Sequence, residues 1–245
     1  IGAILLVTVV LAGTIWLVLL GAKIIGQALF SENARFVIKH LDIRSDGKLQ
    51  PEHIREYAHL EEGMNLFAVD LQQVRDDLAS VPIVSSVSVH RKLPDTLEIT
   101  VSERIPAARL GGESTGYPLA VDRGGYVLGP TSSSQQLPSI TGLQEKGLRP
   151  GAQVGDPGVK NALHVLDLCD SPSFSPFLKI RNVDISHSEY LEVRLLRGER
   201  VLLSRDNVDT KLIKLCEIMK RTADMGQAIA AIDMTVEKNF PVQYQ

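Results

Sequence analysis

The stretch from Gly63 to Leu110, GMNLFAVDLQQVRDDLASVPIVSSVSVHRKLPDTLEITVSERIPAARL, decides the fold of this chain. Its first half carries a helix pattern. Asp70 stands as an N-cap with Gln73 three residues on, a capping-box arrangement, and Leu71, Val74, Leu78 and Val81 recur at helical spacing until Pro82 stops the run. Two strand patterns follow at once. Val87 and Val89 alternate with Ser86, Ser88 and His90; beyond the turn Lys92-Leu93-Pro94-Asp95, Leu97, Ile99 and Val101 alternate with Glu98, Thr100 and Ser102. Such a hairpin has one apolar face, and the stripe of the preceding helix is its nearest cover. Each aliphatic side chain fully buried there contributes at most roughly 1.5–3 kcal/mol.

Upstream, Phe36 to Ile43 alternates as a first strand, Asp46-Gly47 turns the chain, and Pro51 followed by Glu52 opens a short helix carrying Ile54 and Ala58. The order strand, helix, helix, strand, strand therefore spans Phe36 to Pro106. Before it, residues 1–22 contain no charged residue, and at about 1.5 Å per residue they reach about 33 Å, enough for a bilayer core of about 30 Å. This run reads as a transmembrane helix. A secretory signal is the competing reading, with Gly26-Gln27-Ala28 as a small-x-small site, but a signal's apolar region typically spans about 7–15 residues. Residues 23–35 form a connector.

Downstream of Ala107 the texture changes to short strands with frequent Gly and Pro. Tyr117 to Asp122 and Tyr126 to Leu128 flank Arg123-Gly124-Gly125, a hairpin signal, and Leu137 to Gly142 follows. A helix from Val159 to Cys169 should lie on a sheet formed by strands at Ile180 to Ile185, Tyr190 to Leu196 and Arg200 to Leu203. A second helix, Asp209 to Ala223, shows Leu212, Leu215, Cys216 and Met219 at core spacing; the last strand is Ala228 to Val236, and the chain returns through Phe240 to Tyr244.

Composition narrows the function classes. The chain has 245 residues, 44% of them hydrophobic, so one or two domains with real cores fit. Its net charge of −3 and the lack of any long Lys/Arg block remove the electrostatic footprint of a nucleic-acid binder. Cys169 and Cys216 make no CxxC or metal spacing and sit on apolar helical stripes, where a buried free thiol is favoured over a disulfide.

The run Gly63-Met64-Asn65-Leu66-Phe67, the helix, Val81-Pro82 with its strand, the Arg91-Lys92-Leu93-Pro94-Asp95-Thr96-Leu97 turn and the Glu103-Arg104-Ile105-Pro106-Ala107 exit resemble the POTRA domain of the FtsQ/DivIB cell-division family. Tyr117 to Leu128 and Leu137 to Gly142 resemble the start of that family's second exported domain. The final run from Ile229 to Tyr244 matches in part, with Thr235 and Val236 where family members often carry Arg and Tyr. The resemblance implies an α+β fold: a transmembrane helix over residues 1–22, a connector over 23–35, a POTRA domain over 36–106, and over 107–245 a domain of helices on a mixed, mainly antiparallel sheet. It also implies a single-pass inner-membrane protein at the division septum, its N-terminus cytoplasmic and its bulk periplasmic. Such a scaffold of the divisome binds FtsB and FtsL, needs no cofactor, and links to septal peptidoglycan synthesis. Its physical means would be β-augmentation, a partner segment adding to a strand edge. Thr235, Val236, Phe240 and Tyr244 are the candidate lining, although Val236 and Phe240 fit a core role equally well. POTRA domains also serve outer-membrane assembly and secretion, but those chains continue into repeated strands of about 9–11 residues; this one continues into helices.

Catalytic patterns find little support. Gly112-Glu113-Ser114-Thr115-Gly116 satisfies G-x-S-x-G, yet a nucleophile elbow needs strand, turn and helix, and Tyr117-Pro118 and a strand follow here. An exported hydrolase using Ser114 is thus the weaker rival. Asp46 to Glu52 has too few oxygen ligands for a calcium loop, and His53 and His59, six positions apart, share no helix face. Arg91, Lys92 and Arg104 read as a solvated turn, with acidic partners or lipid head groups as the other use. The expected protein is not an enzyme.

Overall fold

The computed structural model describes residues 13–19, 30, 33–111, 118–131, 136–144 and 147–245. Residues 13–19 are helical and exposed. The rest of the apolar run 1–22 and most of the connector lie outside the described residues, and among the described residues no helix is long and apolar enough to cross a membrane. The chain divides into two compact units, Ile1–Glu103 and Arg104–Gln245.

The first unit begins differently from its alternation pattern. Ala34–Phe36 form a 3-10 turn and the first strand, β1, runs only from His40–Ser45. The reason lies in the loop after residue 62. Ile38 N–H donates to the Met64 carbonyl (2.8 Å) and Leu66 N–H donates to the Phe36 carbonyl (2.7 Å), so Phe36 and Ile38 pair with that loop instead of the sheet. Asn65 ties the same loop to the connector, its amide donating to the carbonyls of Phe30 and Asn33, both at 3.1 Å.

Helix α1 spans Pro51–Tyr57 with Pro51 in the first turn, and α2 spans Leu71–Ala79. Asp70 caps α2 by accepting from the N–H groups of Gln72 and Gln73 (2.9 and 3.3 Å). The reciprocal half of the capping box is missing: the Gln73 amide donates forward to Asp77 (2.7 Å). Strands β2 (Val84–Lys92) and β3 (Thr96–Glu103) form the expected hairpin, and the sheet order is β1-β3-β2 with β1 parallel to β3. Val89, Leu97, Ile99 and Val101 are buried with Ile54, Val74 and Leu78 in one core.

Two basic residues have different roles from those a surface turn would give them. The Arg91 guanidinium donates to the carbonyls of Leu66 (2.8 Å) and Val69 (2.7 Å) and lies 5.4 Å from the Phe67 ring centre, which clamps the loop leading into α2. Arg104, in the second unit, pairs with Asp122 at 2.8 Å and stacks 3.8 Å from the Tyr126 ring centre. Lys92 is exposed, and among the described residues no ion pair or ring contact holds it.

Glu103 closes the first unit. Its carboxylate accepts from the Ser45 hydroxyl (2.8 Å) and from Leu49 N–H (2.5 Å). Partial burial pushes its pKa up, but the N–H groups of Leu49 and Lys48 and the Ser45 hydroxyl outweigh this and hold it below the ordinary glutamate value. A depressed folded pKa means stability that is present above the unfolded value, about 4.3, and lost as pH falls through the folded one. Glu103→Gln should therefore lower the urea midpoint of this unit at neutral pH, and the gap to wild type should close in acid.

In the second unit, β4 (Pro106–Leu110), β5 (Leu119–Asp122), β6 (Val127–Pro130), β7 (Ser139–Thr141), β8 (Ile180–Asp184), β9 (Tyr190–Leu195), β10 (Arg200–Ser204), β11 (Ile229–Met234) and β12 (Val242–Tyr244) form one sheet. Its order is β12-β11-β10-β9-β8-β7-β4-β5-β6. Pairs β4/β7, β7/β8 and β10/β11 are parallel and the others antiparallel, which makes the sheet mixed. Helices α3 (Pro157–Cys169) and α4 (Val208–Asp224) bury Val159, Leu163, Leu166, Leu212, Leu215 and Met219 in the core against the sheet.

Candidate functional site

A sheet border carries unpaired backbone groups, so the way each border is finished decides where another chain can pair. The start of the β6 border is bonded by its own chain. Val127 N–H donates to the Ala152 carbonyl (2.9 Å), Gly151 N–H to the Val127 carbonyl (2.7 Å) and Val154 N–H to the Gly125 carbonyl (2.9 Å).

The β12 border is finished by no further strand among the described residues. Asp233 N–H donates to the Pro241 carbonyl (3.0 Å) and Gln245 N–H to the Ala228 carbonyl (2.9 Å), so the backbone polar groups of Pro241 and Gln245 point at β11. Antiparallel alternation then turns the N–H and C=O groups of Val242 and Tyr244 outward. The same residues stand opposite Ile232 and Ile229, which are buried, so their side chains share the helix-covered face. Val242 packs on the core, whereas Tyr244 is 53% exposed and overhangs the border.

The sequence places the expected docking edge on the strand from Ala228 to Val236. That strand, β11, is interior, because β12 occupies its outer side. The four candidate residues all belong to the terminal hairpin but differ in place. Thr235 sits in the turn, its N–H and hydroxyl both donating to Asp233 Oδ1 (2.9 and 2.6 Å). Val236, in the same turn, is 40% exposed. Phe240 packs against the core under Lys214, whose Nζ is 5.6 Å from the ring centre. Only Tyr244 lies on the border strand.

Two residues that position the hairpin escape a reading of the sequence. Lys211 on α4 is buried, and its ammonium donates to the Met234 carbonyl (2.8 Å) at the end of β11. Asn239 takes a left-handed φ of 57°, reversing the chain into β12. Val242 itself was signalled only by the short alternation Val242-Gln243-Tyr244.

Chemistry elsewhere is limited. Among the described residues no group of three or more His, Cys, Asp or Glu is placed to hold a metal ion. Cys169 and Cys216 are free, and burial pushes the Cys169 thiol up to about 12, far from thiolate chemistry at neutral pH. Ser114 lies outside the described residues.

Comparison with known proteins matches this architecture unit by unit. Residues 36–104 match the family model described as POTRA domain, FtsQ-type, and residues 113–235 match the one described as Cell division protein FtsQ/DivIB, C-terminal. The chain is similar to cell division protein FtsQ of Syntrophotalea carbinolica, 25% identical over 89% of this chain and 77% of the relative. It is likewise similar to FtsQ of Geotalea daltonii, 28% identical over 81% and 72%, and to cell division protein DivIB of Clostridium acetobutylicum, 26% identical over 72% and 71%. With both domain models in chain order and the second covering half of the sequence, the chain belongs to the FtsQ/DivIB family of cell-division proteins.

Proposed function

We propose that this protein is a non-catalytic divisome scaffold, anchored by residues 1–22 and a connector over 23–35, whose POTRA domain (36–106) and second domain (107–245) work outside the cytoplasm by contact. The partners it would hold are FtsB and FtsL, and the mode is addition of a partner strand to β12. The observation that supports this reading is the contrast between the β6 border, bonded by residues 151–154 at Gly125 and Val127, and the β12 border, which no further strand pairs among the described residues. Each backbone hydrogen bond gained contributes net roughly 0.5–1.5 kcal/mol, and pockets beside the strand set its register. Tyr244 and Val236 line the approach, with Thr235 in the turn and Phe240 behind it.

The test is the affinity of the full chain for the exported part of FtsB. Val242→Pro removes an outward donor while keeping the inward bonds of Pro241 and Gln245, and Tyr244→Ala removes the overhanging ring. Each is expected to weaken binding about tenfold or more. Val236→Ala, off the strand, should cost less than either. Unchanged affinity in both border variants rejects the reading. A reporter fused after Gln245 should read as exported; a cytosolic signal rejects the topology.

A further inference from the structure

Away from β12, the starts of β7 and β8 open into a cleft of about 750 Å³ beside the C-terminal end of α3. Its walls include Leu137, Leu178 and Leu196, and its cations are Arg109, Lys179 and Arg181. None of these three has an ion pair among the described residues, and the Arg109 Nε is buried without a hydrogen-bond partner. Asp170, the one carboxylate in the lining, is already held by Arg123 at 3.1 Å. Across Lys179 and Leu196 a second hollow, of about 240 Å³, reaches Glu199, which is only 7% exposed and has its Oε2 unpartnered among the described residues.

A charge withdrawn from water without a partner is costly, and it gains most from a ligand that supplies the partner. Two adjoining hollows that share Lys179 and Leu196 in their walls thus carry groups of opposite sign, the half-buried Arg109 with its unpartnered Nε in one and the buried Glu199 in the other, with apolar residues between. We propose that these two adjoining hollows bind an extended acidic segment of a partner protein, with a carboxylate against Arg109 and Lys179, an apolar side chain among Leu137, Leu178 and Leu196, and a donor group facing Glu199. A peptide suits this order because its side chains and amides alternate charge, apolar surface and N–H donors along a few residues. A lipid offers a single charged head on a long apolar tail. The cleft volume is that of a ligand site, roughly 300–1,000 Å³. Cys169 also lines it but contributes only bulk.

This inference does not depend on the β12 reading, and its test separates the two. The probes are two rhodamine-labelled peptides, Leu-Asp-Leu-Glu-Leu-Lys and its amide counterpart Leu-Asn-Leu-Gln-Leu-Lys, titrated with the full chain in detergent micelles and followed by fluorescence anisotropy. The acidic peptide is expected to bind at least tenfold tighter than the amide one. Lys179→Gln with Arg181→Gln, both exposed positions that leave the core intact, should remove most of that advantage. Val242→Pro should not change it. Equal binding of the two peptides, no binding of either, or indifference to the double substitution overturns the proposal. So does a loss seen only with Val242→Pro, or displacement of the peptide by phosphatidylglycerol vesicles, which would give the cleft to lipid.

Discussion

Leu78→Asp is expected to unfold the first unit while the unfolding transition of the second remains. Leu78 is 0% exposed, on the face of α2 that covers the β2/β3 hairpin. Truncating such a side chain costs about 2–5 kcal/mol through lost transfer and the cavity left behind. The new carboxylate adds the penalty of a buried, unpaired charge, and protonating it only exchanges that penalty for the cost of a raised pKa. The sum, above about 4–5 kcal/mol, takes most of the roughly 5–15 kcal/mol that stabilises a domain. Circular-dichroism melts of the full chain should show the loss of one transition, with Gln72→Glu on the exposed side of the same helix staying within about 0.5 kcal/mol of wild type. A wild-type melt for Leu78→Asp would mean that α2 does not cover the hairpin.

Gly142→Ala is expected to cost about 3 kcal/mol in the second unit, lowering its melting temperature by roughly 10 °C. Gly142 has φ +87°, and a Cβ there would stand 2.5 Å from Ser186 N and 2.9 Å from Ser186 Cα. Backbone cannot retreat as a side-chain tip can. Ser186 is held by its own N–H donating to Asp184 (2.9 Å), and the preceding residue by Ile185 N–H donating to the Thr141 carbonyl (2.8 Å). Gly226, after α4, isolates the conformational part: its φ is +68° and nothing lies within 4 Å of an added Cβ. Gly226→Ala should therefore cost only about 1 kcal/mol. Equal melts for the two alanine variants would contradict the close approach at Ser186.

Legibility followed the density of the local pattern. Helices α2, α3 and α4 and the β2/β3 hairpin were plain because each repeats its apolar period several times over. The start of β1 departs from its sequence pattern because Phe36 and Ile38 alternate like a strand yet pair with the loop at Met64 and Leu66, a partner far along the chain. The parallel pairings β4/β7 and β10/β11 leave no local trace, because nothing near either strand encodes a crossover partner. Arg91 and Arg104 looked like solvated charges, and a guanidinium aimed at distant carbonyls or at Asp122 has the same neighbours in sequence as one aimed at water. At the border, β11 offered six apolar-rich residues and β12 three, so the longer run drew attention from the strand outside it.

The bonded edge at β6 has a consequence for assembly. A strand that pairs with β12 extends the sheet at one end, and at the other end residues 151–154 already take the outward backbone groups of Gly125 and Val127. Head-to-tail contacts that never close generate fibres; the bonds that residues 151–154 make at Gly125 and Val127 oppose such growth. Titrations at that edge should thus saturate at one partner strand per molecule, and raising the protein concentration should yield discrete complexes of fixed size with no growing polymer.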